Sequence, residues 1–346
     1  MEKIVINIPG SHSEILVGEK WEAASRMLPD EGVVIITDEN VRHLYGTKFP
    51  KGLILSVPPG EESKILELVQ QLSESMLESG IDRSGFILAI GGGVVCDLAG
   101  FVAAIYMRGV RCGYISTTLL SQVDASTGGK NGVNLGGTKN VLGVIRQPEF
   151  VICDPGILVT LPEEEYLSGL AEMIKTAIIG DKELFGLIEE NYKGIMAREP
   201  GLLTDLITRS VRFKASVVTN DEKETGLRRV LNFGHTLGHA IEMQESIKHG
   251  FAVASGMEFA AEFSLHKGYL SKDEKLRITK LLRKFGLLER YYIPVTQIDK
   301  LIRHDKKKSG NGINFVFSGG IGKTDVIKVT VDEILEFYKK FIDKNL

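Results

Sequence analysis

An α/β N-terminal half followed by a mainly α-helical C-terminal half is the architecture this sequence predicts, and three observations carry it. Up to about residue 155, short apolar runs alternate with helical stripes. The apolar run Phe86 to Ile90 leads through Gly91-Gly92-Gly93 straight into a helical stretch. Beyond Pro162 the pattern is almost wholly helical, and three of the chain's seven histidines, His235, His239 and His249, fall close together. Short apolar runs between turn signals read as strands buried on both faces, and strands alternating with helices read as a parallel sheet.

Length and composition agree. A chain of 346 residues exceeds what one core usually organises, so two domains are expected, 1–156 and 157–346. The hydrophobic share of 43% and charged share of 25% are ordinary globular proportions. A net charge of −3 and a pI near 6.2 argue against a general nucleic-acid binder. Cys96, Cys112 and Cys153 are an odd, scattered set that suits no disulfide framework. The opening residues alternate like a strand, without a signal-peptide core, and no uncharged apolar run reaches about 18 residues. A cytoplasmic protein with no membrane partner is expected.

In order along the chain, Val33 to Thr37 is a buried strand ending in a polar turn at Asp38-Glu39-Asn40. Glu61 to Ser79 is a helix with Ile65, Val69, Leu72 and Met76 as its stripe and Gly80 as its stop. The strand–triple glycine–helix junction at 86–107 lets backbone N–H groups and a helix start approach an anion, the arrangement of a phosphate cradle. Asp97, on the first turn, suits a ribose or hydroxyl. Cys96 breaks the Gly-x-Gly-x-x-Gly pattern and Asp38 precedes the glycines, so the order is not that of a plain Rossmann fingerprint. Glycines here also serve a tight strand-to-helix turn. The segment 117–147 is dense in glycine and polar residues. It sets Lys130 and Lys139 after glycines, with Asp124 and Asn140 near them, which suits either a phosphorylated ligand or a solvated loop.

After Pro162, three glutamates open a helix that carries Glu172 and Lys175, three apart and on one face. Further helices are expected at about 201–218, 236–247, 252–267 and 273–285. A strand at Ile313–Phe317 and a closing helix at Asp332–Ile342, striped by Ile334, Leu335, Tyr338 and Phe341, complete the chain. His235 and His239 lie one turn apart on a helix, a spacing that serves a metal pair or simply caps and packs a buried helix. Thr236 stands where a His-Glu-x-x-His protease has its glutamate. Glu172 with His235 and His249 makes a three-ligand set with one position open. The residues alone thus point to a nucleotide-binding α/β domain and a helical metal- and substrate-binding domain. They suit an enzyme acting on a phosphorylated, hydroxyl-bearing small molecule, with a nicotinamide as nucleotide.

The ordered motifs Gly-Gly-Gly-Val-Val-Cys-Asp-Leu-Ala-Gly-Phe (91–101), Tyr-Met-Arg-Gly-Val (106–110), Thr-Thr-Leu-Leu-Ser-Gln-Val-Asp-Ala-Ser (117–126), Gly-Gly-Lys-Asn-Gly-Val-Asn (128–134), Ala-Glu-Met-Ile-Lys (171–175) and Leu-Arg-Arg-Val-Leu-Asn-Phe-Gly-His-Thr-Leu-Gly-His-Ala-Ile-Glu (227–242) carry a specific resemblance. From about Asp38 to Gly322 the chain resembles the 3-dehydroquinate synthase family of the shikimate pathway, which leads to the aromatic amino acids. The resemblance implies a divalent metal, zinc or cobalt, on Glu172, His235 and His249, and it removes His239 from the ligand set. It implies NAD on Asp38, Glu61, Lys64, Gly92, Gly93, Val94, Asp97, Thr117, Thr118 and Lys139. It assigns the phosphorylated sugar acid DAHP to Asp124, Lys130, Asn140, Lys214, Arg228, Asn232 and one of Lys306 and Lys307. Arg108 would reach a partner's active site, which implies a homodimer. Lys175, Glu224 and His239 are the implied catalytic groups, the last two in proton transfer.

The implied reaction turns DAHP into 3-dehydroquinate and phosphate by transient oxidation, β-elimination, re-reduction and intramolecular aldol closure. The sequence departs from the family at Phe251, where a glutamate usually follows the last ligand, and at Cys96, usually glycine. Three rivals differ in class: a related sugar-phosphate cyclase, a metal-dependent polyol dehydrogenase and a non-catalytic NAD sensor. Arg228 and Asn232 favour the acid substrate over the first; Lys130, Lys175 and Arg228 together disfavour the second; the intact ligand and lysine sets disfavour the third.

Overall fold

The computed structural model describes residues 1–345 except Ser246, Arg290, Tyr292 and 307–311, with backbone only at 303–306 and 344–345. The chain forms two compact units. One is Met1–Pro162 with Arg198–Lys223; the other is Glu163–Ala197 with Glu224–Leu346. No helix among the described residues is long and apolar enough to cross a membrane.

The first unit is built on a seven-stranded sheet in the order β1(Glu2–Ile8), β2(Ser11–Val17), β9(Phe150–Cys153), β6(Arg111–Ser116), β5(Phe86–Gly91), β3(Val33–Asp38), β4(Leu53–Val57). Only β1 and β2 pair antiparallel; the other neighbours are parallel. Every residue of β5 and β9 is buried, as a strand covered on both faces requires. Because β3, β5 and β6 run parallel side by side, Asp38, Gly91 and Thr117 arrive at the same carboxyl edge of the sheet. Ligands of open α/β sheets bind along that edge.

Three local expectations are corrected. Asp38 does not lead into a plain turn: its carboxylate accepts from Val41 N–H at 3.0 Å and caps α1(Glu39–Tyr45). The helix expected from Glu61 begins as a short 3₁₀ turn, Glu61–Ser63, breaks at Lys64-Ile65, and resumes as α2(Leu66–Glu78). Val69, Leu72 and Met76 are buried as expected, while Ile65 at the break is exposed. The glycine-rich stretch after α3(Gly93–Ile105) is not a loop but an antiparallel hairpin, β7(Lys130–Leu135) and β8(Thr138–Ile145). Gly136 and Gly137, at φ +57° and +76°, form its two-residue turn.

The expected division at 156/157 also differs from the observed one. Asp154 accepts from the N–H groups of Trp21 and Gly156, which ties the 3₁₀ turn Pro155–Thr160 into the first unit. After α4(Glu163–Gly180), α5(Lys182–Glu190) and α6(Tyr192–Met196) the chain returns to the first unit as α7(Pro200–Asn220), which packs on β1. A linear pattern carries no mark of such a return.

In the second unit, α4 packs against α9(His249–His266), and α9 against α8(His235–Glu245) and α10(Lys272–Lys284). Then come α11(Val295–Lys306), the hairpin β10(Ile313–Ser318) with β11(Thr324–Val329), and α12(Val331–Asn345). Phe259 and Phe263 of α9 pack, mostly edge-on or tilted, against Phe315, Phe337 and, through Phe263, Phe317, so hairpin and closing helix share one aromatic core.

Candidate metal centre and cofactor site

Glycine contacts explain why three ligand-type side chains converge in the second unit. Gly256 of α9 lies so close to the Gly234 carbonyl that an added Cβ would overlap it. Gly234 holds φ +80° and sets the start of α8, so His235 is the first residue of that helix. Gly250, next to His249, lies directly against the backbone of Ser168 on α4 and donates its N–H to Ser168 Oγ at 3.0 Å. The starts of α8 and α9 are thereby pressed onto the face of α4 that carries Glu172. One ligand atom each from Glu172, His235 and His249 lies within 4.8 Å of the others.

The remaining hydrogen bonds fix which histidine nitrogen faces the centre. His235 Nδ1–H donates to the Phe233 carbonyl at 3.2 Å, and His249 Nδ1–H donates to Glu242 at 3.0 Å. Both rings turn Nε2 toward Glu172 Oε1, at 3.7 and 3.2 Å. Glu172 is fully buried, and among the described residues neither oxygen meets a donor in hydrogen-bonding geometry, although Lys175 stands at ion-pair distance. Burial opposes charge on Glu172, but Lys175 and the histidines outweigh it and hold the carboxyl well below its usual range. Burial and then Lys175 press His235 toward the neutral form. Burial also works against charge on His249, yet Glu172 and Glu242 overcome it and push the group up to about 10. A buried carboxylate with orphaned oxygens, between two imidazoles presenting Nε2, is a donor set that fits a divalent metal.

Glu242 is the residue that sequence reasoning missed, although it closes the last quoted motif. It answers the departure at Phe251: the carboxylate that orients His249 comes from α8, one element earlier. Phe251 itself lines a small cavity with Glu164, Ile247 and Tyr291. Glu242→Gln is expected to weaken zinc binding by about 10–100-fold, measured by competition with a chelator; unchanged affinity would contradict the orienting role.

His239 is exposed, with its ring edge-on to His235 at 5.1 Å, and it stands outside the ligand group. Of the two readings of the His235–His239 spacing, the metal pair is not what the structure groups: His249, from the next helix start, joins His235 and Glu172 instead. Glu224, at φ +58°, accepts from Asn232 Nδ2 at 2.6 Å, so these two expected groups are brought together. Arg228 is buried in the 3₁₀ turn Leu227–Asn232. Lys307 and the side chain of Lys306 lie outside the described residues.

In the first unit, none of Gly91, Gly92 and Gly93 has positive φ; they are there for close approach. A Cβ would meet Val95 at Gly91, Thr118 Cγ2 at 2.9 Å at Gly92, and Ala125 at 3.0 Å at Gly93. Gly92 caps α3 without any side-chain bond, leaving the first-turn N–H groups, Val94 included, for another acceptor. Cys96 is buried with Sγ toward the Gly91 carbonyl, so its bulk faces the core. Thr117 is buried, and Thr118 exchanges hydrogen bonds with Ser121.

Lys64, also buried, donates to Asp97 at 2.7 Å and to Asn140 Oδ1 at 2.5 Å, with Glu61 at 3.7 Å. The structure thus groups Asn140, expected on substrate, with the residues expected on the nucleotide. Lys214 of α7 donates to Asp124 Oδ1 at 2.5 Å, joining two expected substrate residues. Lys130 and Lys139 are exposed on the hairpin. Arg108 is exposed at φ +67°, after Met107 at +49°.

Burial pushes the Asp97 carboxyl up to about 6, against the opposing pull of Lys64. Its ordinary value is 3.8, so between these values the folded chain holds a proton that the unfolded chain has released. The Asp97 contribution to stability is therefore greatest below the lower value and is lost as pH rises through the upper one. Relative to Asp97→Asn, the ligand-free wild type should lose on the order of 2–3 kcal/mol between about pH 4 and about pH 7. Denaturant unfolding at both pH values measures this, and a constant difference would contradict it.

The glycine-turn sheet and the Glu-His-His set around buried Glu172 belong to a nucleotide- and metal-type enzyme fold shared with sugar-phosphate cyclases. The solved structure of 2-epi-5-epi-valiolone synthase from Streptomyces hygroscopicus subsp. jinggangensis 5008, with NAD⁺ and Zn²⁺ bound, matches 96% of this chain and 97% of that one (TM-score 0.88, 26% identity). That of 2-deoxy-scyllo-inosose synthase with carbaglucose-6-phosphate, NAD⁺ and Co²⁺ matches 98% and 99% (TM-score 0.86, 26% identity). Models of the 3-dehydroquinate synthase N-terminal and C-terminal regions match residues 54–168 and 169–308. The 3-dehydroquinate synthase of Dehalococcoides mccartyi (strain CBDB1) is 40% identical over 359 aligned positions, covering 98% of this chain and 100% of the relative. The chain belongs to the 3-dehydroquinate synthase family and is a lyase-type cyclase.

Proposed function

We propose that the chain converts DAHP into 3-dehydroquinate and phosphate, using NAD and a divalent metal, zinc or cobalt, as cofactors. The single observation that carries the reading is the grouping of buried Glu172 with partly buried His235 and His249, with Lys175 against Glu172, in a chain of this family. Glu172, His235 and His249 would hold the metal. Asp38, Glu61, Lys64, Gly92, Gly93, Val94, Asp97, Thr117, Thr118 and Lys139 would hold NAD. Bound there, the metal supplies Lewis acidity toward substrate hydroxyls and NAD⁺ supplies a hydride acceptor that is restored within the turnover.

The chain's own groups have separate jobs. Lys175 sets the charge at the ligand carboxylate. Arg228, a buried guanidinium, suits a substrate carboxylate, and Asn232 holds Glu224 as a proton acceptor. His239, exposed and edge-on to His235, is the group we assign to carry a proton to the departing phosphate. Lys214 and Asp124 form a paired donor and acceptor for hydroxyls, and Lys130 and Asn140 supply further contacts. Arg108 would complete the site of a second copy, which makes the working form a homodimer in the cytoplasm. The alternative within the fold is a sister cyclase. Phosphate release compared across DAHP, sedoheptulose 7-phosphate and glucose 6-phosphate tests the choice: release from DAHP alone is expected, and release from either sugar phosphate instead would move the assignment.

A further inference from the structure

We propose that Asn134 is a positioning residue for the cofactor site, and that it sets Glu61, Lys64 and Asn140 as one unit onto Asp97. The inference rests on the NAD reading above. The hairpin explains why Asn134 has this reach. Val133 pairs with Leu142 and Leu135 with Thr138, so Asn134 alone faces the three residues 139–141. This is a bulge, which releases backbone groups from the ladder and re-aims side chains. Asn134 N–H accordingly leaves the hairpin and donates to the Lys64 carbonyl at 2.7 Å. Its side-chain amide donates to Glu61 Oε1 at 3.0 Å, while Oδ1 accepts from Asn140 N–H at 2.8 Å.

Each partner needs such a hold. Lys64 sits at the break between the 3₁₀ turn and α2, at φ −85° and ψ 61°: its N–H closes the turn on the Glu61 carbonyl at 3.1 Å, and its own carbonyl is taken by Asn134. Asn140 adopts φ +53°, a left-handed conformation that costs a non-glycine residue free energy. From that conformation its Oδ1 meets Lys64 Nζ, which in turn meets Asp97. One side chain therefore spans both strands of the hairpin and the segment before α2. Without it, Glu61 loses a donor, Asn140 loses the acceptor that holds its backbone, and Lys64 loses a fixed partner. Asn134 acts through these groups, so it is not itself a catalytic residue.

The test is NAD⁺ affinity, measured by titration calorimetry on the full chain, in a double-mutant cycle. Asn134→Ala should weaken NAD⁺ binding by about tenfold, and in a Lys64→Met background the same substitution should change it by less than about twofold, because contacting residues couple. Asn134→Asp, which keeps the shape and the acceptor but loses the donor to Glu61, should also weaken binding and covers the case in which the alanine variant does not fold. Wild-type affinity in either folded variant overturns the proposal. So does an equal loss in both backgrounds, which would mean general support of the hairpin. A wild-type chain that binds no NAD⁺ would remove the cofactor reading itself and this inference with it, an outcome distinct from unchanged variants.

Discussion

Glu172→Gln strips the protein of bound zinc and destabilises the metal-free fold at the same time. The carboxylate is fully buried, presents Oε1 to both Nε2 atoms, and is the only anionic member of the ligand group. A neutral amide keeps the volume but loses the charge that offsets a divalent ion. Lys175, 2% exposed and at ion-pair distance, then loses the charge of Glu172. Removing one partner of a buried pair costs about 3–5 kcal/mol. The expected result is no stoichiometric zinc after purification, no turnover, and a denaturation midpoint well below wild type. A variant that retains zinc and wild-type stability would remove Glu172 from the centre.

The second large effect comes from a residue with no side chain. Gly256→Ala places a methyl group into the Gly234 carbonyl, a contact between two backbones that no rotamer relieves. Helix α9 must move off α8, at an overpacking cost of about 1–3 kcal/mol, and His235, one residue past Gly234, moves with it. Zinc affinity should fall together with stability, whereas Gly268→Ala, at a position where a Cβ meets nothing but φ is +76°, should cost stability alone. Zinc titration alongside thermal melts separates the two. Equal zinc affinity in wild type and Gly256→Ala would contradict the packing argument.

Much of the α/β half was legible because buried strands and striped helices leave a one-dimensional trace: Val33–Thr37 and Phe86–Ile90 needed at most one residue added. The hairpin was not read, since Lys-Asn-Gly-Val-Asn-Leu has no alternation and its buried members are small or polar. Its signal was Gly136-Gly137, a two-residue turn of the kind hairpins use. The return of α7 left no trace either, because an amphipathic helix does not state which core receives its apolar face. At the site, Glu172, His235 and His249 could be grouped from residue types and the resemblance set His239 aside, whereas the bare His235–His239 spacing left a metal pair and a packed helix equally open. Spacing on one helix cannot show where the next helix starts; that depends on Gly250 and Gly256, whose meaning appears only in packing. Asn134 and Glu242 were overlooked for the same reason, since each acts across elements and touches another side chain.

Hydride taken up and returned within one turnover leaves a signature in two products followed together. Protein loaded with zinc and stripped of bound nucleotide is mixed with DAHP, with and without added NAD⁺, and phosphate release and NADH absorbance are recorded in parallel. The expected result is phosphate release that depends on NAD⁺ and proceeds with no net accumulation of NADH. Steady NADH formation, or phosphate release from nucleotide-free protein at the same rate without NAD⁺, would contradict it.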